Sequence, residues 1–215
     1  MSLTLYFHPL SSFCQKVLTA LYEKDVAFEK SVVDFMDPVA SASFTRIWPI
    51  RQFPVLRDTA HDKTIPESSL IIEYLDRHYP GKVQLLPAEP EEAFETRRLD
   101  RFFDLHVQVP MQKTVTDKLR PDGQNDSFGV EEAKAKLNTA YEVLEKELSG
   151  KVWATGDRYT MADCAASPAL FYANLSVPFG TEHPNVSAYL ERLMQRPSFA
   201  RAVEEAKPYF GMRPE

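Results

Sequence analysis

Between Leu3 and His8 apolar and polar positions alternate, with Leu3, Leu5 and Phe7 on one side and Thr4, Tyr6 and His8 on the other. That period of two predicts a half-buried strand. Pro9 ends it. From Phe13 the apolar positions are Phe13, Val17, Leu18 and Leu21, which is a helical spacing, and Ser11 and Ser12 stand where an N-cap belongs. Val26 to Val33 predicts a second strand, and a strand–helix–strand crossover of this length predicts a parallel, right-handed pair. Residues 38–47 predict a short helix. Val55 to Arg57, opened by Pro54, predicts a third strand, and Thr64 and Ile65 predict the end of a fourth. Pro66-Glu67-Ser68-Ser69 opens a helix whose apolar face is read as Leu70, Ile71, Tyr74 and Leu75; Tyr79-Pro80-Gly81 stops it.

The pattern then changes. Residues 80–90, PGKVQLLPAEP, hold three prolines and read as a linker. Beyond it every periodic segment is helical, at about 91–119, 130–148, 160–175, 184–195 and 198–206. The expected organisation is therefore an α/β domain over 1–80, a linker over 81–90 and an all-helical domain over 91–215. Thr160-Met161-Ala162-Asp163 fits a capping box, and the nearly uncharged run after it predicts a buried central helix.

Composition narrows the function classes. At 215 residues, 44% hydrophobic and 26% charged, the chain suits a soluble globular protein. A net charge of −6 argues against a nucleic-acid partner. No apolar run reaches membrane-spanning length and no signal-peptide pattern opens the sequence. Two cysteines, Cys14 and Cys164, make no disulfide framework, so a reducing, cytoplasmic setting is expected. The five histidines lack metal-ligand spacing, and no metal is expected.

The chemistry concentrates where the first strand meets the first helix. A helix N-terminus carries unpaired N–H groups and a partial positive charge, and so can hold a thiolate or another anion. Ser11-x-x-Cys14 has the spacing of a thioredoxin-like Cys-x-x-Cys motif with serine in the first place. A serine there is a poor redox nucleophile, but its hydroxyl can donate to another molecule's thiolate. The plain alternative is that Ser11 only caps the helix and Cys14 is a small apolar core residue.

Three motifs then stand together: Ser11-Ser12-Phe13-Cys14, Phe53-Pro54-Val55 and Glu67-Ser68. With the proline-rich linker, the helical second half and Thr160-x-x-Asp163, the chain resembles the cytosolic glutathione transferase family along its whole length. The likeness is to bacterial serine-type members, with zeta-like and beta-like features. It implies a thioredoxin-like glutathione-binding domain, a helical substrate-binding domain and a homodimer. It also implies that Pro54 follows a cis peptide bond and that the Phe53 backbone pairs with the cysteinyl part of glutathione. Glu67 and Ser68 would hold the γ-glutamyl end, Arg51 or Gln52 the glycyl carboxylate, and Phe13 would adjoin the tripeptide. Phe53 departs from the valine the family often has. Ser11 is the first candidate for the group nearest the sulfur, with Cys14 and Ser12 as rivals: zeta members have Ser-Ser-Cys here, and beta members use a cysteine. Tyr6 reads as structural. Phe102, Phe103, His106 and Met111 are expected to line the pocket of a small, mostly apolar electrophile. Rival activities are glutathione-dependent isomerisation, thiol transfer or peroxidase chemistry, and a non-catalytic scaffold.

Overall fold

The computed structural model describes residues 2–212. Strands β1 (Leu3–Phe7), β2 (Glu29–Val32), β3 (Val55–Asp58) and β4 (Lys63–Pro66) form one sheet in the order β2-β1-β3-β4. β1 runs parallel to β2 and antiparallel to β3, and β3 antiparallel to β4. The alternation of β1 is realised: Leu3, Leu5 and Phe7 are buried and Thr4 and Tyr6 are not. β2 is shorter than expected. The residues of β1 that pair with it are Thr4 to Phe7, so Val26 and Phe28 pack on the core without joining the ladder.

Helix α1 (Ser12–Lys24) begins where the period changes. Ser11 is its cap, and its Oγ accepts from the Cys14 N–H at 3.4 Å. The helix is buried almost along its length, with Val17, Leu18 and Leu21 packed against the sheet. α2 (Pro38–Ile47) is capped by Asp37, which accepts the Val39 N–H at 2.8 Å. α3 (Ser68–His78) corrects the expected apolar face. Leu70 is exposed, whereas Ile71 and Leu75 join the core beside the sheet and Ile72 joins a second core. Three consecutive apolar residues cannot all face inward on a helix, and packing on both sides chooses Ile71 and Ile72.

That second core is built from α4 (Pro90–Phe102), α5 (Val109–Asp117), α6 (Ser127–Glu147), α7 (Met161–Ser176) and α8 (Pro184–Gln195). The fold is thus a thioredoxin-like α/β sheet followed by a mostly helical half, as the pattern implied. α7 is the buried axis. Its capping box is present, and the Asp163 carboxylate also accepts from Ala154 N at 2.8 Å and Tyr189 Oη at 2.6 Å. α9 (Pro197–Ala206) turns back, and its Phe199, Ala202 and Val203 enter the core of the sheet half. A 3-10 turn, Lys207–Met212, follows.

The expected single helix over 91–119 is interrupted. Phe103–Gln108 forms a π-helical turn between α4 and α5. A wide turn of this kind shifts the face presented by everything after it. Before it, α4 carries Asp100, and Asp104 follows at the start of the turn. Both face Lys16 of α1, whose Nζ lies 2.6 Å from Asp100 Oδ1 and 2.8 Å from Asp104 Oδ2. The first contact lacks hydrogen-bond alignment; the second has it. Lys16 also donates to Ser69 Oγ at 2.9 Å, and Ser69 donates to Asp100 at 2.7 Å. A second buried lysine, Lys24, pairs with Asp76 at 2.7 Å and donates to the Val83 carbonyl at 3.1 Å. Asp76 accepts from the Leu85 and Leu86 amides, fixing the segment that joins the two halves.

Candidate active site

A cavity of about 940 Å³ opens between the two halves. The sheet half supplies Ser11, Ser12, Phe13, Arg51, Gln52, Phe53, Pro54, Glu67 and Ser68 to its wall. The three sequence motifs therefore converge on one space, although they are spread over residues 11–68.

Local structure explains what each motif presents. At α1 the Ser11 amide is used by the His8 carbonyl at 3.0 Å and the Cys14 amide by Ser11 Oγ. The amides of Ser12 and Phe13 lie in the first turn, where a helix has no partners to give them. Ser11 Oγ accepts in its capping bond, so the cap does not use its proton, which the hydroxyl can turn to the Cys14 sulfur or to a cavity anion. Ser12 also lines the cavity and is mostly buried. Cys14 does not line it. It is fully buried, and burial pushes its thiol up to about 12, against the hydrogen bonds from Ser11 and His8. A thiol so placed is neutral and inaccessible, unlike the low-pKa, exposed cysteines that react.

The Phe53–Pro54 bond is cis. β3 begins at Val55, so the Phe53 backbone lies beyond the ladder, at the edge of the cavity. An unpaired strand edge can take an extended peptide by adding main-chain hydrogen bonds. Glu67 has φ +67°, a costly conformation for any residue with a Cβ, and its exposed carboxylate makes no capping bond. Strain of this kind, on the order of 1–3 kcal/mol, is a mark of functional positions. It leaves Glu67 at the cavity wall beside the N-terminal amides of α3 and buried Ser68. One anion acceptor and one carboxylate are thus side by side, suited to an α-amino acid end. Arg51, also at positive φ (+59°), lies 5.1 Å over the Phe35 ring and donates to Ser41 Oγ at 3.0 Å. Gln52 is exposed at the rim.

The helical half lines the cavity with Gln108, Met111, Gln112, Val115 and Leu119, one stripe at helical spacing. Of the four expected pocket residues only Met111 is on this wall. Phe103 is fully buried in the helical core, and Phe102 packs against that core with His106 beside it, ring centres 5.1 Å apart. The π turn ends at Gln108, and the cavity-facing stripe starts there rather than at Phe102. Sequence reasoning also missed Tyr172 on α7 and Phe210 to Met212 in the last turn, which close the cavity from long range. His8 is a further absentee. Its Nδ1 accepts the Leu10 N–H at 3.2 Å, and its ring stacks on Phe53 at 6.2 Å and meets Tyr209 edge-on at 5.6 Å. Among the described residues no group of three or more His, Cys, Asp or Glu could hold a metal ion, and no helix is long and apolar enough to cross a membrane.

Residues 5–83 match the family model "Glutathione S-transferase, N-terminal domain", and residues 102–197 match "Glutathione S-transferase, C-terminal domain". A Caenorhabditis elegans protein described as "Probable maleylacetoacetate isomerase" is 30% identical over 97% of this chain and 96% of its own length. A Pseudomonas putida "Glutathione S-transferase" is 26% identical over 94% of this chain and 92% of its own. Among solved structures, a glutathione S-transferase from Methylobacterium radiotolerans in complex with glutathione sulfonate is 26% identical with a TM-score of 0.80, covering 94% of each chain. The fold is also that of a Methylobacillus flagellatus glutathione S-transferase with glutathione bound, at a TM-score of 0.84, 24% identity and coverage of 94% and 98%.

Proposed function

The chain belongs to the glutathione S-transferase family, and from that premise we propose how its cavity activates glutathione. The protein is a glutathione transferase with glutathione as co-substrate. Glutathione lies along the sheet half, its γ-glutamyl carboxylate on Ser68 and the amides of α3 and its ammonium on Glu67. The Phe53 backbone pairs with the cysteinyl unit, and Arg51 or Gln52 meets the glycyl carboxylate. The sulfur then sits at the N-terminus of α1, where Ser11 donates a hydrogen bond to the thiolate. A free thiol has a pKa of about 8.5, and helix N-termini bring such values to roughly 3.5–7.5. The thiolate attacks an electrophilic carbon held against Met111, Val115 and Leu119. Ser11 is not the nucleophile.

The observation that carries this reading is the convergence of Ser11, Phe53-Pro54 and Glu67-Ser68 on one wall of a cavity whose other wall presents Met111, Val115 and Leu119 among polar side chains. Cys14, buried with its thiol held neutral, supports a structural role rather than thiol transfer. Glutathione-dependent isomerisation is a second reading, favoured by the 30% identical relative's description and by the Ser11-Ser12 pair. It uses the same thiolate, added to and then expelled from a cis alkene. A cytoplasmic homodimer acting in detoxification completes the proposal; a monomer in sedimentation at micromolar concentration would remove the dimer.

The test of binding is calorimetry with glutathione. Glu67→Ala should weaken binding by about 1.5–3 kcal/mol, the worth of a hydrogen bond to a charged group. Unchanged affinity would sink the assignment of Glu67.

A further inference from the structure

One side chain on the cavity wall has no role in holding or activating glutathione. Gln108 closes the π-helical turn, lines the cavity and is only 3% exposed. Its Oε1 is buried without a hydrogen-bond partner among the described residues, whereas its Nε2, the donor end, makes no bond to them and is not sealed off from the cavity. Buried amides are almost always paired, because each offers two donors and an acceptor. The other buried glutamine near the cavity also has an unpartnered Oε1 and shows the contrast only at Nε2. Gln15 donates through Nε2 to both the Pro9 carbonyl and Tyr172 Oη at 2.9 Å. The same helical wall carries Met111 and Val115, which offer an amide nothing, and Gln112, Thr116 and Lys118, none of which is hydrogen-bonded to Gln108. What enters the cavity is therefore what Gln108 can bond.

We propose that Gln108 is a further catalytic residue, whose amide donates to the oxygen of a carbonyl-activated alkene as the glutathione thiolate adds to it. The inference rests on the transferase reading above. In the step, the sulfur forms a bond to the β-carbon and the alkene π pair moves toward the carbonyl, leaving an enolate oxygen. The enolate then takes a proton from water at the α-carbon, giving the saturated conjugate. Negative charge builds on oxygen on the way to the enolate, so a fixed donor on the wall lowers the barrier rather than merely binding substrate. Single π-helical turns occur frequently at functional sites, and Gln108 closes this one. An electrophile with no such oxygen, such as a benzylic halide, gains nothing from the amide. The cavity is thus selective for enones over halides.

The experiment compares trans-4-phenyl-3-buten-2-one with benzyl chloride, each conjugated with glutathione by wild type, Gln108→Leu and Gln108→Glu. Gln108→Glu keeps the shape and removes the donor. The enone-to-halide ratio of kcat/KM should fall by about 10²–10³ in both variants, the usual cost of losing an oxyanion donor. A readout without turnover is the calorimetric affinity for the ketone conjugate against its deoxy analogue. Wild type should prefer the ketone by about fivefold, as one net hydrogen bond allows, and Gln108→Leu should not. An unchanged ratio in both measurements, with glutathione still bound, overturns the role of Gln108 alone. A wild-type protein that binds no glutathione overturns the transferase reading together with it.

Discussion

Replacing Lys16 by methionine tests how the two halves are held in register at the active site. Lys16 is 1% exposed and faces two carboxylates, Asp100 at 2.6 Å and Asp104 at 2.8 Å, themselves almost fully buried. Methionine fits the aliphatic stem but leaves both carboxylates without their buried cation. Half-exposed Arg101 remains as their other ion-pair partner. Removing one member of a buried ionic cluster costs about 3–5 kcal/mol, because charge is left unpaired in a poorly polarisable interior. With a urea slope of about 3 kcal/mol/M, the midpoint should drop by roughly 1–2 M. The loss should depend on pH. Burial already raises the Asp104 carboxyl above its ordinary value, with Lys16 pulling it down. Without Lys16 it rises further. A carboxyl raised in the folded state favours folding at low pH, and that contribution is lost as pH rises through the folded value. The variant's deficit should therefore be smaller at pH 5.5 than at pH 8.5. Because Ser69 shares the cluster and follows Ser68, glutathione affinity should fall as well. A midpoint within 0.3 M of wild type (about 1 kcal/mol), or a deficit that grows toward acid, would refute the reasoning.

Asp163→Ala should cost on the order of 3 kcal/mol or more. It strips partners from the Ala154 and Thr160 amides and from Tyr189, all buried, at about 1–3 kcal/mol for each orphaned group; calorimetric unfolding with a change under about 1 kcal/mol would contradict this. His8 accepts the Leu10 N–H and so must be neutral at Nδ1, and burial lowers its pKa against the pull of Asp34. A base with a depressed folded pKa lends stability above its unfolded value, about 6.5, and loses it as pH falls through the folded value. Wild type should therefore lose more stability than His8→Phe between pH 7.5 and 5 in urea titrations, and parallel curves would dismiss the contribution of His8.

The site half of the sheet was legible because its signals are local. β1 to α1 is a change of period at a serine cap, and Thr160 with Asp163 is a box four residues long. Glu67-Ser68 and Phe53-Pro54 were singled out through the resemblance to the glutathione transferase family, and both pairs line the cavity. The helical wall was not legible for three physical reasons. The apolar spacing runs through residues 103–108 without a break, so nothing in the pattern marks the π turn that Gln108 closes or shows that Phe102, Phe103 and His106 stay off the cavity wall. Leu70-Ile71-Ile72 offers three apolar neighbours, and only packing against two cores selects among them. Phe210 to Met212 reach the cavity through the fold, and Arg51 and Glu67 take left-handed φ values that their residue types do not announce. The buried Lys16 cluster is likewise a long-range product, since an isolated lysine in a helix reads as a solvated position.

The central claim is that Ser11, not Cys14, stabilises the thiolate of bound glutathione. The most direct measurement is ultraviolet titration of the bound thiolate in wild type, Ser11→Ala, Ser12→Ala and Cys14→Ala. A hydrogen bond to a charged acceptor contributes about 1.5–3 kcal/mol, and one pKa unit is about 1.36 kcal/mol. Ser11→Ala should therefore raise the bound thiol's pKa by roughly one to two units, with glutathione affinity little changed. Ser12→Ala and Cys14→Ala should leave it where it is in wild type. A shift in Cys14→Ala with none in Ser11→Ala would contradict the account and make the buried cysteine the group that governs the sulfur.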